Sequence, residues 1–89
     1  MDITDYERAR GDLVRRAMAA YYRSGRREGL TDEQITIPAN SSHVAEHDGK
    51  EYVVLENVNG TLAVYRVRPV DGVLREIKRW PREVAAPRR

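Results

Sequence analysis

Two histidines and a glutamate in this 89-residue chain have the residue types and the spacing of a zinc site. The segment from His43 to His47 reads HVAEH and matches H-x-x-E-H, in which two histidines bind Zn²⁺ and the glutamate acts as a base. That site requires a helix, because residues i and i+4 then share a face. Asp48-Gly49 follows at once and favours a turn, and on a strand the imidazoles would lie about 13 Å apart. We therefore expect two exposed histidines before a hairpin, with no metal and no other cofactor.

Other catalytic signatures are absent from the sequence. It contains no glycine-rich phosphate-binding motif and no nucleophile elbow. It also lacks cysteine, which excludes a thiol nucleophile, a disulfide and a thiolate-bound metal. A chain of this length leaves little room for a desolvated catalytic pocket. We therefore expect a protein that is not an enzyme.

Arginines are concentrated in the first third of the chain. From Arg15 to Arg27 there are five arginines and no acidic residue. A helix with one basic face can follow the phosphates of a nucleic acid, and an aromatic ring beside it can stack on a base; the alternative is a solvated helix surface. The residues of the nucleic-acid hypothesis are Arg15, Arg16, Tyr22, Arg23, Arg26 and Arg27.

A helix from about residue 5 to about residue 24 must position these arginines. Thr4 and Glu7 have the spacing of a capping box, and Gly25 is a natural end. Arg10 falls within the apolar stripe and is expected to reach solvent or to pair with a carboxylate such as Glu56. The stripe itself repeats every three to four residues and consists of Tyr6, Leu13, Val14, Ala17, Met18, Ala20 and Tyr21.

Residues 26–42 fit two different local structures. Ile35 to Ile37 is suited to a short edge strand that ends at Pro38, whereas Thr31 and Gln34 have the spacing that caps a short helical turn.

The second half of the chain has the pattern of a β-meander. Three Asx-Gly pairs, each typical of a hairpin turn, begin at Asp48, Asn59 and Asp71. β-rich runs lie between and after them, at residues 51–58, 61–68 and 73–80, and a further strand at 43–47 leads into the first turn. The predicted fold is α+β, with an N-terminal helix packed on a three- to four-stranded antiparallel meander. It forms one domain over residues 1–80, followed by a flexible tail at 81–89.

A two-residue turn at Asn59-Gly60 would set the register of the central hairpin, with Val58 opposite Thr61 and Val54 opposite Tyr65. One helix cannot cover both faces of a sheet, so the second face is expected to be covered by loops, paired in a dimer, or free to bind a partner. The predicted helix-facing residues are Tyr52, Val54, Ala63, Tyr65 and Val67. The predicted second face carries Val53, Leu55, Leu62 and Val64, with Glu51, Arg66 and Arg68.

Charge is segregated along the chain. The net charge is only +2, but residues 31–60 carry one lysine against six acids, and residues 61–89 carry eight bases against three acids. The bases of the last two predicted strands, Arg66, Arg68, Arg75, Lys78 and Arg79, form a basic patch or pair with glutamates across the strands. Trp80 is expected to cover the end of the core.

These features predict a small non-enzymatic interaction or regulatory domain that binds another protein or a second copy of itself as a homodimer. The nucleic-acid hypothesis above is the alternative. We expect no membrane partner, because no apolar run reaches the length of a span, and a cytoplasmic location, because the first residues lack a secretory signal. The predicted contact residues are Val53, Leu55, Leu62, Val64, Arg66 and Arg68.

Overall fold

One helix packs on a four-stranded antiparallel sheet in the computed structural model, as the sequence predicts. The structure describes residues 3–85, with residues 3–6 described for their backbone only. The strands follow one another in the sheet in the order β1-β2-β3-β4. No helix in this part of the chain is long and apolar enough to cross a membrane. The elements are α1 (Ile3–Arg27), β1 (His43–His47), β2 (Lys50–Asn57), β3 (Gly60–Val67) and β4 (Leu74–Ile77).

Helix α1 is longer than predicted and does not end at Gly25. It continues to Arg27, and the chain reverses at Gly29, whose φ of 90° favours glycine. The amide of Gly29 donates to the carbonyl of Arg26, and that of Leu30 donates to the carbonyl of Gly25, which is the paired bonding of a Schellman motif. The capping box predicted at Thr4 and the place of Tyr6 in the stripe lie outside the described side chains.

Gly25 is required for packing rather than for ending the helix. A Cβ at this position would lie 2.9 Å from both Cδ1 and Cγ1 of Ile35. Ile35 is itself buried and follows a single turn in which the amides of Gln34 and Ile35 donate to the carbonyl of Thr31. This is the capped turn that Thr31 and Gln34 predict, and residues 35–37 do not form a strand.

The register of the central hairpin differs by one residue from the prediction. Asn57 lies opposite Gly60, so Val58 and Asn59 occupy the turn, and Gly60 takes a φ of 124° directly after it. A second irregularity follows, because Leu55 pairs with Ala63 while Glu56 pairs with Thr61. This step leaves Leu62 as an extra residue in β3, which is the definition of a β-bulge.

This shift moves the side chains of β2 to the opposite face from the predicted one, because strand side chains alternate. Val53 and Leu55 face the helix, and Tyr52 and Val54 face away from it. The assignment of Ala63, Tyr65 and Val67 to the helix side is correct. The helix-side core consists of Ala17, Val44, Val53, Leu55, Ala63, Tyr65 and Val67.

The C-terminal segment covers part of the second face. Val84, from the predicted tail, is buried in a small cluster with Tyr52, Val54 and Val64. Trp80 packs on the same cluster, as expected for a core lid, and its indole Nε1 donates to the carbonyl of Ala85 at 3.3 Å. The flexibility predicted for the tail stays a prediction for residues 86–89, which lie outside the described residues.

We expect the effect of Gly25→Ala to depend on Ile35. In the natural chain the new methyl group would displace Ile35 and lower the free energy of unfolding by about 1–3 kcal/mol. In an Ile35→Ala background the clash is gone, so the same substitution would raise it by about 0.5–1 kcal/mol through helix propensity. Urea denaturation of the four proteins measures both effects, and stabilisation in the natural background would contradict the packing role of Gly25.

Tyr65→Phe is expected to stabilise the protein by about 1 kcal/mol. The Tyr65 hydroxyl is buried and has no hydrogen-bond partner among the described residues. Burial, followed by the nearby Glu76 carboxylate, raises the pKa of Tyr65 from 10.0 to about 12. Tyrosine ionisation therefore removes stability from the natural protein as pH rises above 10, and this loss would be smaller in the variant. Thermal melts at neutral and alkaline pH test both points, with Tyr22→Phe as the control.

Candidate interaction surface

The second face of the sheet is divided into an apolar part and a basic part. The apolar part lies where Val54 pairs with Val64 and Val64 pairs with Ile77, and the C-terminal segment covers it. The basic part lies along the adjacent row, where Arg66 stands between Tyr52 on β2 and Arg75 on β4. The basic part is open to solvent, because Arg66 and Arg75 are both exposed.

Arg66 and Arg75 lie directly opposite each other on β3 and β4. Side chains at directly opposed positions project from the same face with their Cβ atoms about 4.5–5.5 Å apart, and like charges there destabilise a sheet. Within residues 3–85, neither guanidinium takes part in a salt bridge or a side-chain hydrogen bond. The structure therefore holds two adjacent positive charges that its own described acidic residues do not neutralise.

A groove of about 670 Å³ runs beside this arginine pair. It follows the chain through all of residues 73–79 and includes Pro69, Arg66 and Arg68 from the β3 side. Its lining combines apolar side chains with five basic residues and one acid, Glu76. Glu76 lies opposite Tyr65, on the helix side of the sheet, and its carboxylate lies 3.7 Å from the Lys78 ammonium. The solvent-facing basic residues of the groove are Arg66, Arg68, Arg75, Lys78 and Arg79.

The β3–β4 loop forms one end of this groove and is held by its own ion pair. Arg68 donates to both carboxylate oxygens of Asp71, at 2.8 and 2.6 Å. The hydrogen bonds from Arg68 and from the Val73 amide lower the pKa of Asp71. Arg16 of α1 donates to the carbonyl of Gly72 at 2.9 Å, which ties the helix to the same loop.

The predicted contact residues fall into three groups in the structure. Val53, Leu55 and Val64 have no exposed surface and belong to the two cores, so none of them offers a contact surface in this fold. Leu62 is half-buried and lines a polar cleft of about 350 Å³ at the C-terminal end of α1. Arg66 and Arg68 line the basic groove, where partner contact stays a prediction.

The sequence could not place Arg75 with Arg66. The basic character of this region was evident from composition, but the opposition of the two arginines depends on the β3–β4 register. Val67 pairs with Leu74, so six residues connect the strands, and Asp71-Gly72 belongs to this longer loop rather than to a two-residue turn.

The arginines of the nucleic-acid hypothesis lie along the outer side of α1, and several already have partners within the chain. Arg15 pairs with Asp12, and Arg26 Nε donates to Asp32 Oδ1 at 3.0 Å. Arg16 reaches the β3–β4 loop, as described above. Arg23 and Arg27 are exposed, while Tyr22 is half-buried and meets the ring of Tyr21 edge-on, with centroids 6.2 Å apart.

Arg10 and the histidines take structural positions. Arg10 Nη2 donates to the carbonyl of Val44 at 3.4 Å. His43 and His47 lie on strand β1, each near a carboxylate, with His43 Nδ1 3.9 Å from Glu56 and His47 Nε2 4.0 Å from Glu83. No group of three or more histidines and acidic residues in the described part of the chain is arranged to hold a metal ion.

Comparison with known proteins gives no match to a protein-family model, to a curated protein or to a solved structure.

Acidification is expected to release the β3–β4 loop. Because its pKa lies below the ordinary value of an aspartate, Asp71 contributes stability that is complete above that value and is lost as pH falls through the lowered pKa. The amide signal of Val73, which donates to Asp71 Oδ1 at 3.1 Å, should report this transition in an NMR pH titration. Asp71→Asn is the control and should show no such transition. A midpoint at or above the ordinary aspartate value would contradict the ion pair.

Proposed function

We propose that this protein is a non-enzymatic interaction domain that binds an acidic segment of a partner protein in the groove beside β4. The observation that carries the proposal is the exposed pair formed by Arg66 and Arg75, directly opposed and without an acidic partner among the described residues. A carboxylate placed between the two guanidinium groups would turn a repulsive contact into two attractive ones.

The chemistry of the groove supports a mixed apolar and acidic ligand. Val73, Leu74 and Ile77 contribute apolar surface beside the arginines. Arginine presents a planar fork of donors that matches a carboxylate, and it loses less hydration than lysine when it is covered. A protein segment with acidic and aliphatic side chains uses both properties of the groove.

Nucleic acid is less well supported as the ligand. Among the described residues, no aromatic side chain on which a base could stack lines the groove. Arg66 and Arg75 lie on the face of the sheet opposite the helix, whereas the arginines of the hypothesis lie on α1. Arg15, Arg16 and Arg26 are also already engaged by atoms of this chain.

Arg75→Glu provides the test, because it should affect stability and binding in opposite directions. Replacing a like-charge pair by an opposite-charge pair across β3 and β4 is expected to raise the free energy of unfolding by about 0.2–1 kcal/mol. The same change removes half of the proposed carboxylate site, so binding of a glutamate-rich peptide should weaken at least about tenfold. Thermal melts and an NMR titration with that peptide measure the two effects.

Arg27→Glu is the matched control, since it makes the same charge change on the exposed side of α1. It should leave peptide binding within about twofold, because unlike Arg75 it does not line the groove. Duplex DNA at low and high salt is the second probe. DNA binding that Arg27→Glu weakens and salt abolishes, with no peptide binding, would contradict the proposal and favour the nucleic-acid hypothesis.

A further inference from the structure

We infer that the acidic segment binds as an added strand, extending the sheet at the free edge of β4. This inference rests on the proposed function and specifies the conformation and side-chain pattern of the partner. Among residues 3–85, strand β4 pairs with β3 alone and ends the sheet. The backbone amides and carbonyls on its other side form a row that an extended peptide can pair with.

The packing of the helix leaves this edge accessible. The backbone of α1 packs mainly on β1 and β2, and α1 approaches β4 only on the helix side of the sheet, where Tyr21 and Glu76 line one cleft. The groove follows β4 along its whole length and continues to Arg79. The strand itself has four residues and spans about 13 Å, and the lining of the groove extends beyond it at both ends, from Val73 to Arg79.

The edge is protected against pairing with its own copy. A β4–β4 contact between two molecules that aligned their Arg75 side chains would set these exposed arginines opposite each other, and this repulsion would add to the repulsion within each sheet. Strand β4 has no proline or bulge to block pairing in general. Its charge thus disfavours a second copy and admits a strand that carries acids.

Side-chain alternation along β4 sets the pattern of the ligand. Arg75 and Ile77 point to the second face; the chain bends at Lys78, after the end of β4, and Arg79 lines the same groove beyond the bend. The added strand should therefore carry an acid opposite Arg75, an apolar residue opposite Ile77 and a second acid beyond it, toward Arg79. The motif is acid-x-apolar-x-acid, which reads the same in both directions and so fits a parallel or an antiparallel strand.

A blocked peptide with the sequence Thr-Glu-Thr-Val-Thr-Glu-Thr is the probe, and NMR titration of the full chain is the measurement. Shifts should map to residues 73–79 and to Arg66. A peptide of the same composition with its two glutamates adjacent puts the acids on opposite faces and should bind at least about fivefold more weakly. Equal binding of the two peptides would contradict the proposed side-chain pattern.

Backbone N-methylation distinguishes an added strand from charge attraction alone. Only every second amide of an added strand faces β4. Methylating one alternate set should therefore abolish binding, whereas methylating the other set should change it less than about twofold. If both sets have the same effect while the parent peptide binds, strand addition is wrong and the proposed function stands. If no acidic peptide binds, both proposals fail.

A charge exchange tests the contact to Arg75 directly. Arg75→Glu should lose binding of the glutamate peptide and gain binding of the same peptide with lysine at the position opposite residue 75. The variant is expected to fold, because it replaces a repulsive cross-strand pair by an attractive one, and its amide spectrum verifies this. Failure of the folded variant to bind the lysine peptide would contradict the assigned register.

Discussion

The register of the β2–β3 hairpin is the constraint on which both the core and the surface depend. Gly60 accepts a positive φ directly after the turn, and the bulge at Leu62 adds one residue to β3. Together they decide which side chains of β2 meet the helix, because a shift of one residue would exchange the two faces of that strand. Val53 and Leu55 are buried under α1 for this reason, and Tyr52 comes to lie beside Arg66 on the other face.

The two cores explain how the fold tolerates an unfavourable pair of arginines. Burying one valine or leucine side chain contributes about 1.5–3 kcal/mol, and Val53, Val54, Leu55 and Val64 are completely buried. A like-charge pair on the sheet surface costs about 0.2–1 kcal/mol, which is smaller than the contribution of any one of them. The sheet can therefore present Arg66 and Arg75 together, and the proposed partner would remove the repulsion by supplying a carboxylate.

The sequence predicted which segments form the helix and the strands better than it predicted the register between the strands. The apolar stripe of α1, the strand at 43–47 and the turn at Asp48-Gly49, where both residues have positive φ, follow from local periodicity and turn chemistry. The predicted end of α1 was wrong because Gly25 has a packing role that depends on Ile35, ten residues further along the chain. The predicted hairpin register was wrong because an Asx-Gly pair can occupy two positions in a turn. The bulge could not be predicted, because no residue pattern in the sequence identifies it. The arginine pair could not be found without the β3–β4 register, which depends on the length of their connecting loop.

The most direct test of this account is the coupling free energy between Arg66 and Arg75. It is measured by urea denaturation of the natural protein, Arg66→Gln, Arg75→Gln and the double variant, without any ligand. We expect a repulsive coupling of about 0.2–1 kcal/mol that decreases as salt is added, with the folded domain gaining stability from either single substitution. A coupling of zero, or one in which the two arginines stabilise each other, would contradict the claim that this surface holds an unneutralised positive charge for a partner.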